Sequence, residues 1–177
     1  LAGCPPGTAV PVGVVTFNNA LVGKDAIVTY RNFGNLNLWG SDFAGELLLT
    51  DKFSVAGTYS YVNKNLFRKT EVGGVSDISL NAPANKHSAT LRYRNESAGW
   101  GAELRERHVD AFQATGFINA RIENYTLLDA GVNYRPPMWT NLLIAVNGTN
   151  LTNKRHQEFA QGNMIGRLIV TRLQVTF

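Results

Sequence analysis

Leu168-Ile169-Val170-Thr171-Arg172-Leu173-Gln174-Val175-Thr176-Phe177 closes the chain, and its pattern decides how the rest is read. Ile169, Thr171, Leu173, Val175 and Phe177 fall on one side. Leu168, Val170, Arg172, Gln174 and Thr176 fall on the other. A side-chain period of two is that of a strand. The first side is apolar and ends in an aromatic; the second turns polar towards its end.

Working outward, the same alternation recurs. Leu142, Ile144 and Val146 alternate with Leu143, Ala145 and Asn147. Leu128, Ala130, Val132 and Tyr134 alternate with Leu127, Asp129, Gly131 and Asn133. Ala102 and Leu104 alternate with Glu103, Arg105 and Arg107, and Ala89, Leu91 and Tyr93 with Ser88, Thr90, Arg92 and Arg94. Phe53, Val55, Gly57, Tyr59 and Tyr61 alternate with Ser54, Ala56, Thr58 and Ser60. Phe43, Gly45, Leu47 and Leu49 alternate with Asp42, Ala44, Glu46 and Leu48. That makes about seven strands.

Their connections alternate in length. Thr50-Asp51-Lys52 is tight, the stretch from Asn63 to Asn85 is long, and Ser97-Ala98-Gly99 is tight again. A medium loop from Asp110 to Arg121 follows, then a short turn through Arg135-Pro136-Pro137-Met138-Trp139, then a loop from Leu151 to Asn163. Outer-membrane barrels have this layout, with short turns on the periplasmic side and longer loops outside. The expectation is an all-β fold: an antiparallel transmembrane β-barrel segment of about seven strands. Residues 1–26 then belong to an extracellular loop region, with Pro11 to Phe17 in a protruding hairpin, and residues 27–177 carry the strands.

A soluble sandwich shows the same alternation, with its polar face in water. Aromatic placement separates the two readings. Tyr59, Tyr61, Tyr93, Trp100, Tyr125, Tyr134 and Trp139 lie near strand ends, where membrane-interface girdles sit.

Composition excludes several classes. The densest apolar run, Leu142 to Val146, is far short of the ~20 residues of a membrane helix. The net charge of +4 is dispersed, with no Lys/Arg block, so no nucleic-acid partner is expected. His87, His108 and His156 lack any metal-ligand spacing, and no Gly-x-Ser-x-Gly elbow occurs, so neither a metal nor a catalytic site is expected. Cys4 is the only cysteine, leaving no internal disulfide framework; an upstream residue in an oxidising compartment is its candidate partner. Asn95, Asn124, Asn147 and Asn150 open accidental glycosylation-type triplets. The chain opens at Leu1 without initiator Met or leader. Seven strands, moreover, do not close a barrel of even strand number, and unpaired edges in hydrocarbon are costly. An upstream part supplying more strands is therefore expected.

Two stretches carry a family resemblance. Tyr125-Thr126-Leu127-Leu128-Asp129-Ala130-Gly131-Val132-Asn133-Tyr134-Arg135 is followed by Asn147-Gly148-Thr149-Asn150-Leu151-Thr152-Asn153-Lys154-Arg155-His156-Gln157-Glu158-Phe159, then by Gly166-Arg167 and the strand ending in Phe177. This resembles the C-terminal end of TonB-dependent receptors, with His156 where the family commonly has Tyr. Tyr30-Arg31-Asn32-Phe33-Gly34 with Leu38-Trp39-Gly40 adds support.

The resemblance implies part of an outer-membrane, TonB-dependent active-uptake receptor for a scarce ligand such as a siderophore, cobalamin or a saccharide. Such members are 22-stranded barrels around an N-terminal plug. The implied location is the cell outer membrane of a Gram-negative-type bacterium, with no enzymatic activity and no cofactor. The implied partners are the chain's own N-terminal plug and missing barrel strands, the TonB energy-coupling complex engaged through that absent part, the barrel-assembly machinery, and outer-membrane lipid. Leu173, Val175 and Phe177 resemble the assembly signal. Arg92, Arg94, Glu103, Arg105 and Arg107 are candidates to face the lumen and contact the plug, beside the plainer reading of a generic charged interior. Asn150 to Phe159 reads as a structural turn rather than a ligand loop. The other functional reading is a smaller structural or adhesive outer-membrane β-barrel.

Overall fold

The computed structural model describes residues 14–16, 27–29, 36–72, 77–115 and 119–177, with side chains from residue 36 onward. Cys4, Tyr30 to Gly34, and Gly73-Gly74 lie outside the described residues. Two short strands, β1 (Val14–Thr16) and β2 (Ile27–Thr29), pair antiparallel with each other, across the expected boundary at residue 26. The elements that follow are β3 (Gly40–Leu48), β4 (Phe53–Val62), β5 (Leu66–Phe67), α1 (Lys69–Val72), β6 (Ile78–Ser79), β7 (Asn85–Asn95) and β8 (Trp100–Val109). The rest are β9 (Phe112–Ala114), β10 (Ala120–Ile122), β11 (Tyr125–Tyr134), β12 (Leu142–Thr149) and β13 (Leu168–Val175).

Seven of these form one antiparallel sheet in the order β13-β12-β11-β8-β7-β4-β3, a meander in which each long strand pairs with the next. The register keeps each alternation in phase across the sheet. Leu47 faces Val55, Val55 faces Leu91, Leu91 faces Leu104, and Leu104 faces Ala130. On the opposite face Glu46, Ala56, Thr90, Arg105 and Asp129 follow one another in the same way. A slip of one residue would exchange the two faces, so the pattern fixes the register.

The apolar face is open to its surroundings. Leu104 is 45% exposed and Leu173 70%, and Val55, Leu91, Val132, Ile144 and Val146 are likewise open. A sheet folding in water covers such a surface; an exposed one of this extent belongs against lipid or another protein. Aromatic pairs bound it. Phe53 lies 5.0 Å from Tyr93 and Trp100 stacks on Tyr134 at 4.4 Å, all on the apolar face at the tight-turn end. Tyr59 and Tyr61 hold the other end, Tyr61 edge-on to Trp39. From Phe53 to Tyr61 the strand rises ~27 Å. Tilted at about 40°, that spans about 20 Å, close to the ≈25 Å apolar band of an outer-membrane barrel. The strand ends are also stepped: Phe53, the first residue of β4, lies opposite Tyr93, yet β7 runs two residues further, to Asn95 opposite Trp100. Stagger of this kind is what strand tilt requires.

Short connections are set by local chemistry. The Thr50 hydroxyl accepts from the Phe53 amide at 3.1 Å and the Lys52 amide at 3.2 Å. The Asn95 side chain accepts from the Ala98 amide at 3.2 Å, and Gly99 finishes that turn with φ +75°. A Cβ on Gly99 would stand 1.9 Å from the Arg135 carbonyl oxygen.

The long connections hold structure that alternation did not announce. β5 pairs with β6, and β9 with β10. Ser79 and Asn81 bond to Gln113 and Thr115, tying the first loop to the second. Phe112, Ala114 and Ile122 form a small core that Val109 and Ala160 complete, joining the second loop to the third.

Gly99→Ala in the full-length protein is expected to lower the barrel's unfolding temperature, because a positive-φ residue with a side chain costs about 1–3 kcal/mol before the clash is counted. Gly45→Ala is the matched control, since a Cβ there meets nothing within 4 Å. Heat-shift electrophoresis of the two variants reads the difference; equal behaviour would show that Gly99 is not required by its turn.

Candidate functional site: the charged wall

Strand alternation puts Asp42, Glu46, Ser54, Thr90, Arg92, Glu103, Arg105, Arg107 and Asp129 on the face opposite the apolar one. Cross-strand neighbours there lie close enough for long side chains to bond. Arg92 donates from Nε to Glu103 Oε2 at 2.8 Å and from Nη1 to Glu46 Oε1 at 3.0 Å. Glu46 Oε1 also accepts from the Ser54 hydroxyl at 2.9 Å. Arg105 pairs with the other Glu103 oxygen at 3.3 Å and reaches Thr90 Oγ1 at 3.4 Å. One chain of charge-assisted bonds thus crosses four strands, β3, β4, β7 and β8.

A second branch starts at Arg107, whose Nε donates to Asp129 Oδ2 at 2.8 Å. The other Asp129 oxygen accepts the Asn150 amide at 2.8 Å. Asn150 is only 2% exposed, sits at φ +53°, and closes a turn with its side chain: Oδ1 accepts from the Lys154 amide and Nδ2 donates to the Lys154 carbonyl, both at 2.8 Å. Asparagine tolerates that left-handed conformation better than most residues. Residues 150–154 are therefore a turn anchored to the charged wall. Beyond it His156 is buried against the Tyr125 ring at 4.4 Å, with Nδ1 3.0 Å from the Lys154 carbonyl.

The wall and the neighbouring turns line a trough of about 900 Å³, bounded by Arg92, Glu103, Arg105, Asp129, Asn133 and Asn147 among others. In its floor Asn side chains lie over glycines: a Cβ on Gly101 would meet Asn133 at 2.7 Å, and one on Gly131 would meet Asn147 at 2.5 Å.

Of the residues singled out in the sequence, Arg92, Glu103, Arg105 and Arg107 lie together on this wall. Arg94 shares the face but sits at the turn end, largely exposed and paired with Glu96 at 2.9 Å. Leu173 and Val175 lie on the exposed apolar face of β13, and Phe177 lies just past that strand, fully exposed. Sequence reading did not single out Glu46 or Asp129 as site residues, nor Asn150 as their link to the loop. Their signal was present only as polar residues on an otherwise assigned face. It also left His87 and His108 apart. The β7–β8 register stacks their rings 5.1 Å apart on the apolar face. Among the described residues no group of three ligands suits a metal ion.

Asp129→Asn is expected to weaken the wall by about 1.5–3 kcal/mol, the usual worth of a hydrogen bond to a charged group. Once Asp129 is changed, Arg107→Met should add little. A thermal double-mutant cycle measures this, and additive losses would mean that the two side chains do not act together.

No curated protein matches the chain. A family described as TonB dependent receptor-like, beta-barrel, matches residues 7–151, which takes in β1 to β12 and stops within the turn of residues 150–154, before the last strand. That family is an outer-membrane type of receptor and transporter, and its context is a plugged barrel coupled to TonB. With an antiparallel sheet, an exposed apolar face between aromatic rows and a charged face opposite, the chain belongs to the TonB-dependent receptor-like β-barrel family.

Proposed function

We propose that the full-length protein is an active-uptake receptor in the outer membrane of a Gram-negative-type bacterium, driven through TonB and taking up a scarce ligand such as a siderophore, cobalamin or a saccharide. The observation that carries this reading is the sorting of the faces: ion pairs and amides on one side, exposed leucines and valines on the other. A polar interior suits either a water-filled channel or a plugged lumen. Family membership favours the plugged one.

In this reading Arg92, Arg94, Glu103, Arg105 and Arg107 face the lumen and meet the plug. The edges of β3 and β13 pair with further strands of the same chain. The coupling complex is engaged through the plug-bearing part, and lipid covers the apolar face. The smaller structural or adhesive barrel remains as the second reading; it needs no energy coupling and no plug.

Uptake by cells carrying the full-length receptor is expected to stop when the proton-motive force is dissipated or the coupling partner is deleted. Uptake that survives either treatment would turn the receptor into a passive pore. In the same system Phe177→Ala tests the assembly-signal reading of Leu173, Val175 and Phe177. Less inserted protein and more periplasmic degradation are expected, with purified, refolded barrel nearly as heat-resistant as wild type. Normal insertion with clear loss of heat resistance would make Phe177 an interface anchor instead, worth ~1–3 kcal/mol as one buried aromatic.

A further inference from the structure

At its long-loop end the charged wall is no longer open. Tyr125 and Leu127 share the wall face with Asp129, and Val109 lies directly opposite Tyr125. Tyr125 is 8% exposed and Leu127 1%, while Thr126, which points the other way, is exposed. A single sheet buries one face only where something lies against that face. Here the cover is made by loops. The His156 ring, from the connection between β12 and β13, lies 4.4 Å from that of Tyr125. Val109 packs with Phe112, Ala114 and Ile122 from the connection between β8 and β11, and Ala160 joins the same cluster from the third long loop. The second and third long loops therefore lean over the wall rather than away from it.

The first long loop, between β4 and β7, is fastened to the second. Asn81, at φ +55°, donates from Nδ2 to the Thr115 carbonyl at 3.0 Å and accepts the Thr115 amide on Oδ1 at 2.7 Å. The Ser79 amide donates to Thr115 Oγ1 at 3.3 Å, and its hydroxyl donates to the Gln113 carbonyl. In the third loop the backbones of His156 and Ile165 exchange two bonds, at 3.3 and 2.8 Å. None of these pieces is large. β5 and β6 have two residues each, β9 and β10 three each. An isolated two-stranded hairpin is marginal in water, so each piece depends on the neighbours it is bonded to or packed against.

One carboxylate ties this assembly to the wall. Asp129 accepts from Arg107 Nε on one oxygen and from the Asn150 amide on the other, both at 2.8 Å. Asn150 holds Lys154 through both side-chain atoms, and the Lys154 carbonyl in turn accepts from His156 Nδ1 at 3.0 Å. Removing the Asp129 carboxylate leaves the Asn150 amide without this acceptor. A buried donor orphaned in this way costs its full desolvation. The turn then loosens, and Ala160, farther along the same loop, loses its fixed place on the Phe112 cluster.

We propose that the three long loops form a single lid over the wall side of the sheet, which opens as one unit and is pinned to the wall by Asp129. Local opening follows cooperative units rather than chain order, and here the unit is defined by Asn81 on Thr115, Ala160 on Phe112 and Asn150 on Asp129. The linkage is reciprocal. Whatever draws Asp129 away from Asn150 loosens loops that it never touches. Whatever holds the loops shut tightens the Asp129 contact. The inference rests on the sheet and its loops, not on what the receptor transports, so loss of energy-coupled uptake leaves it standing.

The test is hydrogen–deuterium exchange, read by mass spectrometry, on the full-length receptor purified in detergent. Wild type is compared with Asp129→Ala, at the pin, and Asn81→Ala, at the fastening of the first loop to the second. Each variant is expected to speed exchange about tenfold or more in all three loops: at β5 and β6, at β9 and β10, and at the bridge of His156 with Ile165. The amides of β4 and β7 should keep their wild-type rates. Faster exchange confined to residues 150–165 in Asp129→Ala, and to the first two loops in Asn81→Ala, overturns the proposal, because the loops would then open independently. Unchanged exchange of residues 150–165 in Asp129→Ala overturns the pin. Should Asp129→Ala loosen the sheet as well, Asn81→Ala, outside the seven strands, still decides whether the lid is one unit. Asp129→Asn then decides the pin: it keeps an acceptor for the Asn150 amide, so its loop exchange must fall between wild type and Asp129→Ala. No recovery in Asp129→Asn overturns the pin.

Discussion

The pairing of β7 with β8 is the constraint on which the rest depends. Ten residues of each strand are matched, from Lys86 opposite Val109 to Asn95 opposite Trp100. This one register places Leu91 against Leu104 and Arg92 against Glu103 at once. In hydrocarbon no water is available to receive an unpaired backbone group, so the ladder must be satisfied along its full length. The same ladder that meets this demand also fixes which side chains meet lipid. A slip of register would move both faces together, because consecutive residues point to opposite sides.

On the polar side the ion pairs are organised rather than merely tolerated. Glu103 joins two arginines, Arg92 joins two glutamates, and Asp129 joins Arg107 to the backbone of a loop. Exposed ion pairs contribute little singly, but a network shares the ordering of its side chains among several bonds. The branch through Asp129 has the clearest structural reach. It roots the Asn150 turn, which carries the chain to the buried His156 and to the loop packing around Phe112 and Ile122. The wall and the long loops are thus joined, by hydrogen bonds through Asp129 and Asn150 and by apolar packing around Phe112. By contrast, the tight-turn side is held by local devices: the Thr50 hydroxyl, the Asn95 amide and the left-handed Gly99.

The outer face is not uniformly apolar, and its exception sits where the physics is most permissive. The rim row around His87 and His108 lies among tyrosines, at the level where an aromatic girdle already accommodates polar tips. Farther down, Glu106 apart, the rows are Leu, Val, Ala and Gly, which leave acyl chains a smooth surface. The gradient from aromatic to aliphatic to aromatic along each strand is therefore a record of depth.

The sequence by itself determined the strands, their faces and the order of short and long connections, because all three follow from a period of two and from where Gly, Pro, Asn and Asp interrupt it. It also determined that Arg92, Arg105 and Arg107 share a side, and that Leu173 and Val175 lie on the other. Only the tertiary structure decided which partners those residues have. Glu46 is forty-six residues from Arg92 along the chain, and Asp129 twenty-two from Arg107, so no local pattern could join them. The same holds for the stacked His87 and His108, for Asn81 on Thr115, and for Ala160 against Phe112, where short strands form inside loops that show no alternation. Strand periodicity is a property of each segment alone, whereas register and loop packing are settled only when all the segments satisfy their backbone bonds together.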